Sequence, residues 1–382
     1  MRKAFLYRIY PNQVQSDKLD NLLGVARNIY NAALQERRDA YKMQGISLNY
    51  FDQAGELKEL RDLFPDIANL NCSATQDMLR RLDKSFKAFF RRVKSGEEEV
   101  GYPRFKGRNR FNSITFPTYG DGVKIKDGRL YIQNAGLIKI KLHRSLEGKI
   151  NTVTIKRECD KWYAVFSNMV DVMPLPVSDK MVGIDVGLES FAVTSDEEYI
   201  ENPRCLRQSE AALRVAQRSV SRKRRGGSNR HKAVTLLAKR HLKVKRQRAD
   251  FAHKVADRLV QEYGKIAVED LQIVNMVRNH HLAKSISDAG WGQFLSILTY
   301  KAEYAGRELV LVPPNGTSQI CSGCGSVVKK SLSVRVHNCP VCGISLNRDL
   351  NAALNILALG RSVWDVTLNR SSCVSQEAVC FS

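Results

Sequence analysis

The segment CSGCGSVVKKSLSVRVHNCPVCG, residues 321–343, limits what this chain can fold into more than any other stretch. Cys321 and Cys324 form one CxxC knuckle and Cys339 and Cys342 a second, with fourteen residues between the pairs. Two such knuckles bring four thiolates to one tetrahedral Zn²⁺ at about 2.3 Å, and four protein ligands leave no open position for water. The expected ion is therefore structural. Its binding contributes on the order of 10 kcal/mol to folding a small unit with almost no core of its own. A glycine follows each pair, Gly325 and Gly343. His337 is not needed as a fifth ligand and is expected at the surface. The other five cysteines, Cys72, Cys159, Cys205, Cys373 and Cys380, are scattered. That pattern suits a metal site in a reducing compartment better than a disulfide framework.

The chain has 382 residues, with 61 Lys plus Arg against 39 Asp plus Glu, a net charge of +22 and a pI near 9.7. Such a balance points to a polyanionic partner, nucleic acid ahead of an anionic membrane surface. No apolar run approaches the roughly 18 residues needed to span a bilayer, and the opening MRKAFLYRIYPNQ lacks the apolar core of a signal peptide. The expected location is cytoplasmic, at the nucleoid.

KAFLYRIYP alternates as a strand does, and Pro11 stops it. From residue 12 to 94 the period turns helical, with Leu19, Leu22, Leu23, Ala26, Ile29, Tyr30 and Ala33 on one stripe. In ATQDMLRRLDKSFKAFFRRVK, Leu79, Leu82, Phe86 and Phe89/Phe90 are expected inward, and Arg80, Arg81, Lys84, Lys87, Arg91, Arg92 and Lys94 outward. GYPRFKGRNRFNSITFP then interleaves aromatic with basic residues, among them Arg104 and Lys106. Short strands follow, including a hairpin turned at Asp127-Gly128; together they suggest a small β-barrel that takes in the first strand, with the helical unit inserted.

Beyond residue 180 the pattern is α/β. Between Ala211 and Ala249 there are fourteen Lys or Arg and no Asp or Glu, with a break at RRGGSNRHK that suggests two helices joined by a basic turn. SISDAGWGQFLSILTYKAEYAG, residues 285 to 306, reads as one helix. From about Arg361 no sustained period remains, which reads as a loosely ordered tail.

Three acids end buried or structured segments. Asp185 lies in VGIDVG, Glu269 ends IAVED, and Asp349 opens an Ala-rich helix in NRDLNAALNIL. Each has a plainer reading: Asp349 could be an N-cap, and Asp270, beside Glu269, is the expected cap of the segment that follows. Together the three suggest one site, because converging carboxylates repel unless divalent cations neutralise them. Hard oxygen donors select Mg²⁺ or Mn²⁺, and a pair of such ions about 4 Å apart is the arrangement of many phosphodiester-cleaving centres.

These residues carry a family resemblance. The ordered set GIDVGLESFAVTSD, IAVEDLQIVNM, SISDAGWGQF, PPNGTSQICSGCG and CPVCGISLNRDLNAALNI, with RNIYNAAL and GYPRFKGR upstream, resembles the TnpB family of transposon-encoded nucleases, relatives of type V CRISPR effectors. It covers residues 1 to about 360. The resemblance implies an RNA-guided DNA endonuclease of mixed α/β, multidomain build. The implied parts are a wedge barrel (1–11 and 98–180) with an inserted helical recognition unit (12–97), a RuvC nuclease domain of RNase H-like fold (181–317, closed by a last helix at 346–360), a zinc ribbon (318–345) and the tail (361–382). It assigns catalysis and Mg²⁺ binding to Asp185, Glu269 and Asp349, and zinc to Cys321, Cys324, Cys339 and Cys342. It implies a guide RNA from the transposon end, double-stranded target DNA, a short motif beside the target, and a partner transposase encoded by the same element. By looser similarity Tyr50 and Gln76 fall where relatives read that motif. The expected nucleic-acid contacts are these two with Arg80, Lys84, Arg104, Lys106, Arg222, Lys223, Arg224, Arg225, Lys239 and Arg240. One departure stands out: the family commonly has Asp-Arg-Asp where this chain has Asn347-Arg348-Asp349.

Two rival functions are a nuclease-inactive RNA-guided repressor and a transposase that itself joins DNA ends. The first requires a broken acidic triad, which this sequence does not have. The second, by its tyrosine route, requires a nucleophilic Tyr in a His-x-His setting, which is absent. A zinc-ribbon RNA-binding protein would leave the acids at 185 and 269 unexplained.

Overall fold

The computed structural model describes residues 1–97, 99–172, 174–331 and 334–377. It divides into two compact units, Met1–Asp171 and Val172 onward.

The first unit begins with β1 (Arg2–Tyr10), in which alternation sends Phe5, Tyr7 and Ile9 into the core. Pro11 ends the strand, and a capping box starts α1 (Gln13–Gln44). The Asn12 side chain accepts from the Gln15 backbone N–H at 2.8 Å, and the Gln15 side chain accepts from the Asn12 N–H at 3.1 Å. Gly45, at φ 69°, closes this helix. Three short helices follow, α2 (Tyr50–Gly55), α3 (Leu57–Leu63) and α4 (Pro65–Ala68), then α5 (Cys72–Lys94). Leu79, Leu82 and Phe86 are buried as expected, joined by Met78, but Phe90 is exposed. Arg81, expected outward, is half-buried and donates to Ser113 O and Thr115 Oγ1.

Six more strands complete this unit: β2 (Ser113–Phe116), β3 (Val123–Lys126), β4 (Arg129–Ile132), β5 (Gly136–Lys141), β6 (Lys149–Glu158) and β7 (Lys161–Met169). They form one antiparallel sheet in the order β2-β6-β7-β1-β5-β4-β3, with β2 and β3 as its edges. The first strand thus sits mid-sheet, paired to β7 from Arg2↔Met169 to Ile9↔Trp162, and the helices are an insertion. The β3–β4 turn is at Asp127 and Gly128, both at positive φ as a two-residue hairpin turn of this kind requires.

The second unit is built on the sheet β10-β9-β8-β11-β12, formed by β8 (Met181–Val186), β9 (Ser190–Thr194), β10 (Tyr199–Glu201), β11 (Lys265–Glu269) and β12 (Glu308–Val312). β8, β11 and β12 run parallel; β9 and β10 are antiparallel to their neighbours. Between β10 and β11 lie α6 (Cys205–Ser221) and α7 (Ser228–Glu262), the two helices and basic turn that the sequence suggests. After β11 come α8 (Ile273–Met276), α9 (Ala283–Ala289) and α10 (Trp291–Ala305). The single helix expected over 285–306 begins earlier, at Ala283, and is broken at Gly290, which takes φ 71°. The zinc-ribbon segment contributes the hairpin β13 (Val336–Asn338) and β14 (Ser345–Asn347), and α11 (Arg348–Glu377) follows directly. The loose tail expected from Arg361 is therefore helical to Glu377, an extension of a helix already anchored by buried Ile356 and Trp364; residues 378–382 lie outside the described residues.

Period-two alternation decides what each sheet face carries. Val182, Ile184, Ile266 and Val268 pack with Leu259, Phe294 and Leu298 of α7 and α10. Ala267 packs on the opposite side, with Ile356, Leu357 and Trp364 of α11. Gly183 is what lets α11 lie so close. A Cβ there would come within 2.2 Å of Ala353 O and 2.5 Å of Leu357 N.

Candidate active site and metal centre

The same alternation that puts Gly183 and Ala267 under α11 puts Asp185 and Glu269 on that face, two residues further along each strand. The parallel register Gly183↔Ala267, Ile184↔Val268 brings the two acids next in line on adjacent strands, at their carboxyl ends. Asp349 comes from the first turn of α11. Gly187 lies beside it, its would-be Cβ 3.9 Å from Asp349 Oδ2, an ordinary contact, and tight only against Ser190 O at 3.0 Å.

The electrostatics tie the three together. Burial, then the charges of Glu269 and Asp349, hold the Asp185 carboxyl well above its usual range, against the pull of Arg348. Burial also pushes Glu269 up, opposed by the Thr317 hydroxyl, which donates to its Oε1 at 2.5 Å. The three side chains do not all present oxygens within 4.8 Å of one another; among the described residues only the four cysteines do so. As a donor set, three carboxylates at a strand end are hard oxygen ligands with uncompensated negative charge, which fits Mg²⁺ or Mn²⁺.

Asp270 is not a cap. It is exposed, its N–H is spent on Val312 O, and α8 starts after Gln272 without a side-chain cap. Nor does Asp349 cap α11. Asn347 Oδ1 accepts from the Asp349 and Leu350 N–H groups at 2.8 and 3.4 Å. The departure at 347 thus preserves a cap, because Asn serves there about as well as Asp.

In the cysteine cluster, Cys321 and Cys342 Sγ are 3.6 Å apart and Cys324 and Cys339 Sγ 3.5 Å. A tetrahedron with metal–sulfur bonds of about 2.3 Å has edges of about 3.8 Å, so the four thiols fit Zn²⁺. Gly325 and Gly343 take φ 75° and 74° and return their N–H groups to Cys321 O and Cys339 O; this is why a glycine follows each knuckle. Ser326, through its side chain and its backbone, pulls the Cys324 thiol down to about 6, toward the thiolate a metal needs. His337 is fully buried, not at the surface, because it occupies the inward position of the three-residue strand β13. Its Nδ1 meets Lys330 Nζ.

Three residues absent from the sequence-based set join the two sites. Thr317 holds Glu269, and its backbone oxygen is clamped by Asn355 Nδ2 at 2.8 Å. Asn351 and Asn355 also donate to Ile320 O, and Asn351 Oδ1 accepts from Ser322 N. Both asparagines lie on α11 one turn apart, so the helix carrying Asp349 also fixes the loop entering the first knuckle. Two asparagines at i, i+4, Asn351 fully buried and Asn355 half-buried, in a helix otherwise apolar on that side were the available signal.

Of the expected nucleic-acid contacts, Arg80 stacks over the Tyr50 ring at 5.3 Å, while Gln76, Arg80 and Lys84 follow one another by four residues along α5. Arg104 is exposed; Lys106 is half-buried, its ammonium 5.6 Å from the Tyr30 ring centre. Arg222, Arg224, Arg225, Lys239 and Arg240 are exposed and Lys223 half-buried, on α6, α7 and their turn. Arg248, counted in the same basic run, instead pairs with Asp288, which also accepts from the Leu206 and Arg207 N–H groups and so caps α6 from α9.

The fold has counterparts among solved structures. The chain superposes with a TM-score of 0.59 on Cas12f1 from a cryo-EM structure of the Cas12f1-sgRNA-target DNA complex, at 15% identity over 93% of this chain and 98% of that one. It also matches a mini-RNA-guided endonuclease, CRISPR-Cas_phi3, with a TM-score of 0.53 at 9% identity. The OrfB_IS605 family model, described as a probable transposase, matches residues 164–280, and the Cas12f1-like TNB domain matches 291–356. A helix-turn-helix model matches residues 1–45, which here form β1 and the single helix α1. A protein of Streptomyces pristinaespiralis described as a putative RNA-guided DNA endonuclease is 34% identical over 94% of this chain and 90% of its own length. The InsQ protein of Escherichia coli K12, similarly described, is 28% identical over 94% and 93%. The chain belongs to this OrfB_IS605 family, that of the TnpB proteins.

Proposed function

We propose that the chain is an RNA-guided DNA endonuclease whose unit from Val172 onward is a RuvC nuclease domain of RNase H-like fold. The observation that carries this reading is that Asp185 and Glu269 stand at the carboxyl ends of the adjacent strands β8 and β11, where open α/β sheets bind their ligands, and that the charge of Asp349, from the first turn of α11, reaches Asp185. The three acids would hold Mg²⁺ or Mn²⁺; when bound, such ions activate water and neutralise charge on a phosphodiester. Thr317 fixes the rotamer of Glu269, and Arg348 tempers the charge at Asp185.

A guide RNA from the transposon end pairs with one target strand, so base pairing supplies sequence choice while the protein grips backbone and shape. The acid-free run from Ala211 to Ala249 supports a grip on RNA or heteroduplex phosphates. The Tyr50–Arg80 stack, with Gln76 one turn before it, supports a reader of the target-adjacent motif. The seven-stranded sheet with its inserted helices serves as wedge and recognition unit, and residues 318–345 as a zinc ribbon. Double-stranded DNA is the substrate, and the setting is the cytoplasmic nucleoid, beside a transposase of the same element. No helix among the described residues is long and apolar enough to cross a membrane.

The test is cleavage of a plasmid library with a guide-matched target beside randomised bases, by protein purified with its transposon-end RNA and given Mg²⁺, with Asp185→Ala in parallel. Wild type should cut only matched plasmids with an enriched flank, and the variant should bind without cutting. Binding of the matched target by wild type with no cutting would replace the nuclease reading with the repressor.

A further inference from the structure

A second site lies in the first unit, on the C-terminal half of α1. There α1 and the segment Gly101–Lys106 enclose a cleft of about 620 Å³, within the usual range for small-ligand sites. Its apolar walls are Leu34, Tyr41, Tyr102, Pro103 and Phe105; its charged groups are Arg38, Lys42 and Arg104, with no acid among the lining residues. Tyr41, Tyr102 and Phe105 are exposed at 65%, 43% and 44%, an unusual density of bare rings beside three cations.

The cleft is built rather than incidental. Asn31 clamps the segment by two side-chain hydrogen bonds to the Lys106 backbone, donating to its O at 3.1 Å and accepting from its N–H at 2.8 Å. The Tyr102 ring is held edge-on by Phe86 at 5.5 Å and 89° and by Phe89 at 5.3 Å and 74°. A segment without regular secondary structure is thus fixed at its end and at its ring, and the rings are oriented before any ligand arrives. Asn31 belongs to RNIYNAAL and the segment to GYPRFKGR, two motifs that the nuclease site leaves unused.

We propose that this cleft captures one unpaired nucleotide of a bound nucleic acid, its base among Tyr41, Tyr102 and Phe105 and its flanking phosphates on Arg38, Lys42 and Arg104. Base-paired nucleotides have both faces covered by their neighbours, so a duplex cannot offer a base to such a cleft. An unpaired base can, and every base has a face to offer, which makes the capture tolerant of sequence. The three cations and the lack of an acid among the lining residues oppose a cationic ligand and match a phosphodiester on either side of the base. The nucleotide could come from RNA or from a displaced DNA strand, which share this chemistry.

The experiment uses the full chain with oligouridine and oligothymidine single strands and a duplex of matched length, followed by fluorescence anisotropy at several salt concentrations. Tyr41→Ala/Phe105→Ala should weaken single-strand binding about ten-fold, the scale of one lost base stack, with the salt slope and duplex binding unchanged. Tyr41→Phe, which keeps the ring, should bind as wild type. Arg104→Ala should lower the salt slope by about one unit. Irradiation with a 5-bromouracil-substituted strand should cross-link to Tyr41, Tyr102 or Phe105, and comparing the RNA with the DNA strand names the source. Because both rings removed are exposed, the variants should melt with wild type. Equal losses on single strand and duplex, unchanged single-strand affinity, or cross-links that map only elsewhere would each overturn the proposal.

Discussion

Because burial and two neighbouring carboxylates raise the Asp185 pKa, its ionised form weakens the native state at neutral pH. The sign follows from proton binding. A carboxyl whose folded-state pKa exceeds its unfolded value of about 3.8 leaves the native state holding more protons, so stability is greatest in acid and falls as pH rises through the elevated value. Glu269 acts in the same direction. Asp185→Asn should therefore raise the Tm of the Mg²⁺-free protein at pH 7 while abolishing cleavage, and calorimetry at pH 5 should show a smaller gain than at pH 7. At Asn347, the Ala variant loses a helix cap and should lose about 1 kcal/mol in denaturant titration, whereas Asn347→Asp should keep it. The cysteine cluster was legible in sequence because four thiols stand at fixed spacings, and the placement of the acids at 185 and 269 because each ends a buried apolar run. Thr317 was not, since a lone hydroxyl in a loop has no period to betray it. Asp270 was misread because the chain makes a turn, rather than a helix, directly after β11.

At the scale of elements, the position of Asp349 depends on how closely α11 sits on β8. Gly183→Ala would drive a methyl group into helix backbone that cannot rotate away. It should lower stability by about 1–3 kcal/mol and depress cleavage more than DNA binding. The mate of this contact is Gly360, where a Cβ would meet Ala267 Cβ at 2.6 Å. Asp288 is a second hinge of the architecture. Its removal leaves Arg248 half-buried without its carboxylate and α6 without a cap, so Asp288→Ala should lose about 3 kcal/mol by chemical denaturation. Elements whose two faces differ, β1, α1 and α5, could be read from apolar periodicity, and β11, buried on both faces, from its unbroken apolar run. The extension of α11 past Arg361 could not, because its last turns have no apolar stripe and owe their helicity to the packed turns before them. The break at Gly290 was hidden because a lone glycine inside a helical pattern does not by itself mark an end.

For the whole molecule, the cysteine cluster and the acids are one mechanical chain, running through Asn351, Asn355 and Thr317 to Glu269. Replacing Cys321 and Cys342 with Ser should therefore reduce cleavage as well as local stability, and protease digestion should open residues 318–345 first. A net charge of +22 makes affinity for any nucleic acid fall steeply with salt, so cleavage assays should be compared at one ionic strength. The placement of β1 has a consequence in time. The strand made first lies in mid-sheet between β5 and β7, and β7 ends at Met169. At about 5–20 residues per second, the nascent strand waits roughly 10–30 s for its partner to leave the ribosome. During that interval α1 and α5 can pair, while Phe5, Tyr7 and Ile9 stay uncovered and open to whatever apolar surface reaches them first.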